Sequence, residues 1–205
     1  MALSDLVPAI PWAPPAVRDS AARLRYRGLV LVVAVYDACD LFPDNWVYVH
    51  SPAVQVGRVQ NFGNWSAAMV PDPRTSCLGM EYFADPGDEL WSQPDDRLLE
   101  RAVSEVADIG LVRRGRFVTG TVVRVPGAYP VYSRRHETEF APLRDWLRSL
   151  AGLTCIGRSG QHRYNNMDHS MMTALLAVRN LVDGGRFDVW DVNADAEYHE
   201  EGPEA

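Results

Sequence analysis

Residues 157–180 read GRSGQHRYNNMDHSMMTALLAVRN. A dozen residues crowded with Gly, Arg, His, Tyr, Asn and Asp give way to an almost wholly apolar run. Met167, Met171, Leu175, Val178 and Val182 recur on one helical face. Met172, Leu176 and Leu181 fill the other faces, so the spacing predicts a helix buried nearly all round, opening at Met167-Asp168. Asn165 or Asn166 is its expected N-cap. Such a helix start offers unpaired N–H groups and about half a positive charge, which suit an anion or an electron-rich ring edge. Gly157 permits close approach of a ligand or another backbone. Arg158 brings a permanently charged, forked donor. A plainer reading stands beside this one: Asp168 complements the helix dipole, and Asn166 only caps.

Upstream, LVLVVAVYDA (29–38) is a continuous β-branched run and predicts a strand covered on both faces. NWVYVHS (45–51) alternates, and with VQVGRVQNF (54–62) it predicts a hairpin turned at Ser51-Pro52. TSCLGMEYFA (75–84) predicts a further strand. Leu98, Leu99, Ala102, Val103, Val106 and Ile109 fall at helical spacing over 95–109, with Gly110 as C-cap. FVTGTVVRVPGAYPVY (117–132) returns to strand, with a break expected at Pro126-Gly127. A second amphipathic helix is predicted over 138–150, then a short strand at LTCIG (153–157). The fold class is therefore α+β: an antiparallel-rich sheet, flanking helices and one buried C-terminal helix. A single domain is expected over 1–186. An acidic, solvated tail is expected over 187–205, with a strand at 189–192.

Composition narrows the function. A net charge of -7 and a pI near 5.2 argue against a nucleic-acid surface, which needs clustered cations. Three scattered cysteines without a CxxC pair fit a reducing cytoplasm. The longest apolar run, 29–36, is far short of the roughly 20 residues that span a bilayer, so no membrane role is expected. His136, His162, His169 and His199 show no metal-ligand spacing, and no GxSxG nucleophile motif occurs. Cys155 reads as a small core hydrophobe.

Gly157, Arg158, Tyr164, Met167 and Asp168, in that order, resemble the C-terminal flavin-contacting motif of UDP-galactopyranose mutases. They are still more similar to related bacterial FAD-dependent oxidoreductases of the amine-oxidase and protoporphyrinogen-oxidase superfamily. YPVY (129–132), GRVQNFGNWS (57–66) and CLGMEYF (77–83) extend the resemblance over most of 29–182. It implies that Gly157, Arg158, Asn166, Met167 and Asp168 lie near the flavin of FAD. It implies that Arg58 reaches an anionic group of a small-molecule substrate, a sugar nucleotide or similar, with Tyr129 and Tyr164 lining the same pocket. Asn166 stands where the mutases have Asp, one negative charge fewer. The residues single out no catalytic acid or base, and no metal site.

That family holds the ADP half of FAD on a strand–GxGxxG–helix unit. No such Rossmann unit occurs among these residues; GRSG and DGG are the nearest approaches. The resemblance therefore implies the substrate-binding and flavin-capping half of an enzyme, with a partner chain carrying the dinucleotide-binding domain. The alternatives are a fragment, or a non-catalytic binding or assembly module that kept the fold and lost flavin. Each predicts exposed apolar surface, and hence a partner or a homo-oligomer.

Overall fold

The computed structural model describes residues 1–70, 72–113 and 115–193. The chain forms two compact units. One is Arg27–Ala128, and the other is Met1–Tyr26 with the described part of Tyr129–Ala205. The first carries most of an antiparallel-rich sheet and the second is helical, so the α+β class holds.

Five strands make the sheet: β1 (Arg25–Tyr36), β2 (Trp46–Tyr48), β3 (Arg58–Asn61), β4 (Ser76–Tyr82) and β5 (Phe117–Val131). Their order is β2-β3-β4-β1-β5. β2 with β3, β3 with β4, and β4 with β1 are antiparallel. The amide of Asp37, just past β1, donates to the carbonyl of Arg116, just before β5, so these two also run in opposite directions. All seven residues of β4 are buried, as a strand flanked on both sides allows. In β1 the even-numbered residues Val30, Val32, Ala34 and Tyr36 are buried and the odd-numbered ones between them half-buried. Its two faces are thus covered unequally.

Helix α4 (Asp95–Asp108), which follows the single-turn α3 (Phe62–Trp65), supplies the cover. Leu98, Ala102 and Val106 lie one turn apart and join Val30, Val32, Leu78 and Met80 in one core. Burying each large aliphatic chain contributes about 1.5–3 kcal/mol. The helix stops where expected. Gly110 takes φ +77, and the amides of Leu111 and Val112 return to the Val106 carbonyl.

The second unit packs α1 (Leu3–Leu6), α2 (Pro15–Ala22), α5 (His136–Ser149), α6 (Gly157–Gln161) and α7 (Met167–Val182). Its core joins Leu3, Val7, Val17, Phe140, Leu143, Leu147, Ala177, Val189 and Trp190. Cys155 is buried there, and burial pushes its thiol up to about 11, as a core hydrophobe would show.

Several sequence expectations need correction. The 117–132 strand is unbroken at Pro126-Gly127, because β5 is the edge strand and a proline there leaves no ladder partner unsatisfied. The β2–β3 hairpin forms with a turn at Pro52-Ala53, within a connecting loop that runs over 49–57. Residues 153–156 make no strand, and Gly157 opens α6 instead. No strand forms at 189–192, and Val189 and Trp190 are core residues rather than a solvated tail. Residues 194–205 of the expected tail lie outside the described residues.

The largest correction concerns α7. Only Thr173 and Ala177 are buried. Met167, Met171, Met172, Leu175, Val178, Leu181 and Val182 are all exposed. A narrow stripe of Thr173, Leu176 and Ala177 packs the helix onto its own unit, while its other large apolar side chains are exposed.

Glu105 ties the sheet unit together. Its buried carboxylate accepts from the amides of Gln55 (3.2 Å) and Val56 (3.0 Å) and from the Tyr82 hydroxyl (2.9 Å). Burial, then the Glu105 charge, pushes the Tyr82 phenol far up. Glu105→Ala strands two buried donors, the Val56 amide and the Tyr82 hydroxyl, and the part-buried Gln55 amide. It should lower unfolding free energy by roughly 2–4 kcal/mol, read as a fall in urea midpoint with unchanged slope.

Candidate functional site

The turn between α6 and α7 gathers most of the residues singled out by sequence. Gly157 sits at φ +70, a conformation that favours glycine, and its amide donates to Thr173 Oγ1 at 3.0 Å. That bond fixes the start of α6 against the middle of α7. Arg158 Nε donates to the Asn165 carbonyl at 2.9 Å. The Arg158 guanidinium carbon lies 4.9 Å from the Tyr129 ring centre and 4.8 Å from that of Tyr164. The two rings are 5.8 Å apart and tilted by only 22°. A triangle of those sides places the cation against both rings rather than between them. Each such contact contributes about 0.5–1 kcal/mol where water reaches it. The structure therefore brings Gly157, Arg158, Tyr129 and Tyr164 together in one unit.

Asn166 is the N-cap of α7 and forms a reciprocal box with His169: its side chain accepts from the His169 amide, and its own amide donates to His169 Nδ1 at 3.2 Å. A nitrogen that accepts carries no proton, so the 3.6 Å approach of His169 Nδ1 to Asp168 is a proximity rather than an ion pair. The box uses the third amide of the helix. Among the described residues, no protein group takes the amides of Met167 and Asp168, the two remaining first-turn donors. Met167 is 79% exposed and Asp168 lies beside it in solvent. This helix start can donate to a ring carbonyl. The Asp168 carboxylate makes it a poor seat for phosphate.

Behind the turn lies a polar layer that sequence reasoning missed. Gln161 Nε2 donates to the carbonyls of Cys155 (3.2 Å) and Val189 (2.8 Å). Its Oε1 accepts from Asn165 Nδ2 at 3.1 Å. Asn165 Oδ1 in turn accepts from Asn193 Nδ2 at 3.1 Å. Arg163 donates to the carbonyls of Trp190 and Val192. Gln161 and Asn165 are among the least exposed polar residues in the chain. Their only sequence signal was the excess of amide side chains before an apolar helix.

Arg58 belongs to the sheet unit and has a different setting. It is 5% exposed, and its guanidinium bonds the buried Glu81 carboxylate, which also accepts from Gln60. The register explains this. Tyr48 faces Arg58 across one strand pair, and Arg58 faces Glu81 across the next. Trp46, Tyr48 and Phe83 surround the cation at 5.3, 5.9 and 4.9 Å. The sequence reading of Arg58 as an arm reaching a substrate anion missed Glu81, its internal partner. Trp46 and Tyr48 remain partly exposed above the pair.

Among the described residues, no group of three or more His, Cys, Asp or Glu could hold a metal ion, and no helix is long and apolar enough to cross a membrane.

No family model and no curated protein matches the chain. Solved structures do. A reduced UDP-galactopyranose mutase shares 19% identity with a TM-score of 0.68, over 86% of this chain and 37% of its own. A protein assigned as a protoporphyrinogen oxidase, from Exiguobacterium sp. 255-15, shares 15% identity with a TM-score of 0.59, over 78% of this chain and 35% of its own. At these identities the likeness is one of fold. The chain spans little more than a third of the length of either protein, and it has the fold of that part.

The Arg58–Glu81 pair yields a prediction. Removing one partner of a buried ion pair leaves the other charge uncompensated, so Glu81→Leu should cost roughly 3–5 kcal/mol. Replacing both, Arg58→Met with Glu81→Leu, should recover most of that loss. Urea denaturation of the single and double variants checks it.

Proposed function

We propose that this chain is the substrate-side and flavin-contacting part of an FAD-dependent oxidoreductase or mutase-like enzyme, acting on a sugar nucleotide or a similar small molecule. The observation that carries the reading is the start of α7. There, two open backbone donors and an exposed Met167 sit beside Gly157-Arg158, which Tyr129 and Tyr164 hold in place.

These features fit the ring end of FAD. The amides of Met167 and Asp168 would donate to its carbonyl edge, and Met167 would cover an apolar part of the ring. Gly157 would allow close approach, while Asn166 keeps the helix start in shape. Arg158 would place positive charge nearby without giving up a proton to it, since guanidinium stays charged. When bound, the flavin supplies the electron-transfer chemistry, and the chain supplies binding and orientation. The likeness to a mutase and to a protein assigned as an oxidase supports this reading at the level of fold.

On the substrate side, Tyr129 and Tyr164 would line the pocket. In the sheet unit, the exposed rings of Trp46 and Tyr48 offer stacking faces for a sugar or a base. Arg58, held by Glu81, would act there through its field on those rings and on a substrate anion. The outward face of α7 would pack against a dinucleotide-binding unit supplied from outside these residues.

The test supplies a GxGxxG-bearing dinucleotide-binding chain in trans and measures retained FAD by its visible absorbance. The complex should be yellow. Arg158→Ala should weaken FAD retention by about tenfold, equivalent to about 1.4 kcal/mol, while lowering the stability of the chain itself by only about 1 kcal/mol. A complex that takes up no FAD would overturn the reading. Equal losses of retention and stability would assign Arg158 a purely structural role.

A further inference from the structure

His162 ends α6 in the left-handed region, at φ 45 and ψ 44, where residues other than glycine carry strain. The residue is 1% exposed. Its Nε2 lies 3.0 Å from the Arg25 carbonyl oxygen. A carbonyl only accepts, so Nε2 carries the ring hydrogen and Nδ1 is a bare acceptor. That Nδ1 is buried and has no hydrogen-bond partner. Four rings enclose the imidazole: Tyr26 edge-on at 4.8 Å, His136 at 5.1 Å, Phe140 at 6.0 Å and Tyr132 at 6.1 Å. A cavity of about 130 Å³ adjoins it.

The charged and titratable groups around this cluster come from every element packed on it. Asp5 of α1 acts on Tyr26. Arg23, just past α2, and Arg25 of β1 line the cavity, as do Tyr132, His136 and Glu139. Glu137 and Arg163 bear on His136, and Arg158 and Arg163 bear on Tyr132. No carboxylate bonds either ring nitrogen of His162 among the described residues. A proton on Nδ1 would therefore create a buried cation with no anionic partner, one ring away from a second histidine.

The same residue adjoins the candidate site. The Arg163 amide donates to the Arg158 carbonyl at 3.1 Å, and the Tyr164 amide donates to the Tyr132 hydroxyl at 2.6 Å. His162 immediately precedes this pair of donors. We propose that His162 is a pH-sensitive latch on the turn over residues 158–166: neutral, it seals the turn; protonated, it leaves its enclosure, and the turn opens and frees Arg158 from Tyr129 and Tyr164. The consequence for flavin rests on the function proposed above, but the latch belongs to the chain alone.

Both histidines sit below their ordinary range. Burial is the main cause for His162, with the nearby His136 adding to it and the Arg25 carbonyl opposing. Burial is also the main cause for His136, which Arg163 lowers further while Glu137 and Glu139 oppose. A base depressed in the closed state takes up its proton on opening. Closure is therefore fully stable above the ordinary value of 6.5 and is lost as pH falls below it.

Amide hydrogen exchange on the flavin-free chain tests the latch, with each rate divided by its intrinsic rate. Below about pH 6.5, protection of residues 158–166 should fall by up to about tenfold per pH unit, the slope for one proton taken up. The amides of α4 should hold theirs. His162→Gln keeps a donor for the Arg25 carbonyl and removes this ring's titration, so its protection should fall clearly less steeply than the wild type's, with His136 the remaining base. A flat wild-type profile down to about pH 5, or an equal fall in His162→Gln, would overturn the latch. Should that variant not fold, the wild-type His162 ring resonance decides. Titration in step with loss of protection supports the latch, and titration while the turn stays protected overturns it. None of these outcomes depends on whether the chain binds FAD.

Discussion

A relay of three side-chain amides, two buried and one half-buried, holds the candidate site in shape. Gln161 bonds two carbonyls and Asn165, and Asn165 is met from the other side by Asn193. The relay joins segments that are far apart in sequence: the approach to α6, the turn before α7, and the chain near residue 190. Each amide left unmade in such a place costs about 1–3 kcal/mol, so the relay is worth having only when complete. Its completeness lets Arg158 lie against Tyr129 and Tyr164 while the first turn of α7 stays open. The segment beyond Phe187 is part of this support, through Val189, Trp190 and Asn193.

The sheet unit solves a similar problem with charge. Antiparallel register sets Tyr48, Arg58 and Glu81 in one row across three strands. The row makes an ion pair inevitable once the strands pair, and Trp46, Tyr48 and Phe83 shield it from water. Specific geometry and partly exposed rings result. A freely mobile arginine does not.

Much of this was legible in the residues. The periodicity of Leu98, Ala102 and Val106 located α4, and the β-branched run at 29–38 located the longest stretch of β1. The GR…Y..MD order located the turn that holds Arg158 against Tyr129 and Tyr164. What periodicity cannot report is which surface covers an apolar side chain. Hence Met171, Leu175 and Val178 were read as core, although only Thr173 and Ala177 of this helix are buried and Leu176 alone of its large apolar side chains packs against the core. Pro126 was read as a break because sequence does not say that β5 is an edge strand. Arg58 was expected to reach a substrate anion, and its internal partner Glu81 went unseen because it is 23 residues away, across a strand pair. His162 was weighed only as a metal ligand, since neither its left-handed backbone nor its ring of aromatic neighbours leaves a local signature.

The most direct test of the flavin-end reading is a titration of the isotope-labelled chain with flavin mononucleotide, followed by amide NMR. Flavin mononucleotide carries the ring without the adenine half, so it probes the α7 start alone. The reading predicts weak, saturable shifts concentrated at Gly157, Arg158 and Asn166 to Asp168. Shifts absent at those amides up to millimolar flavin, or confined to residues of the sheet unit, would contradict it.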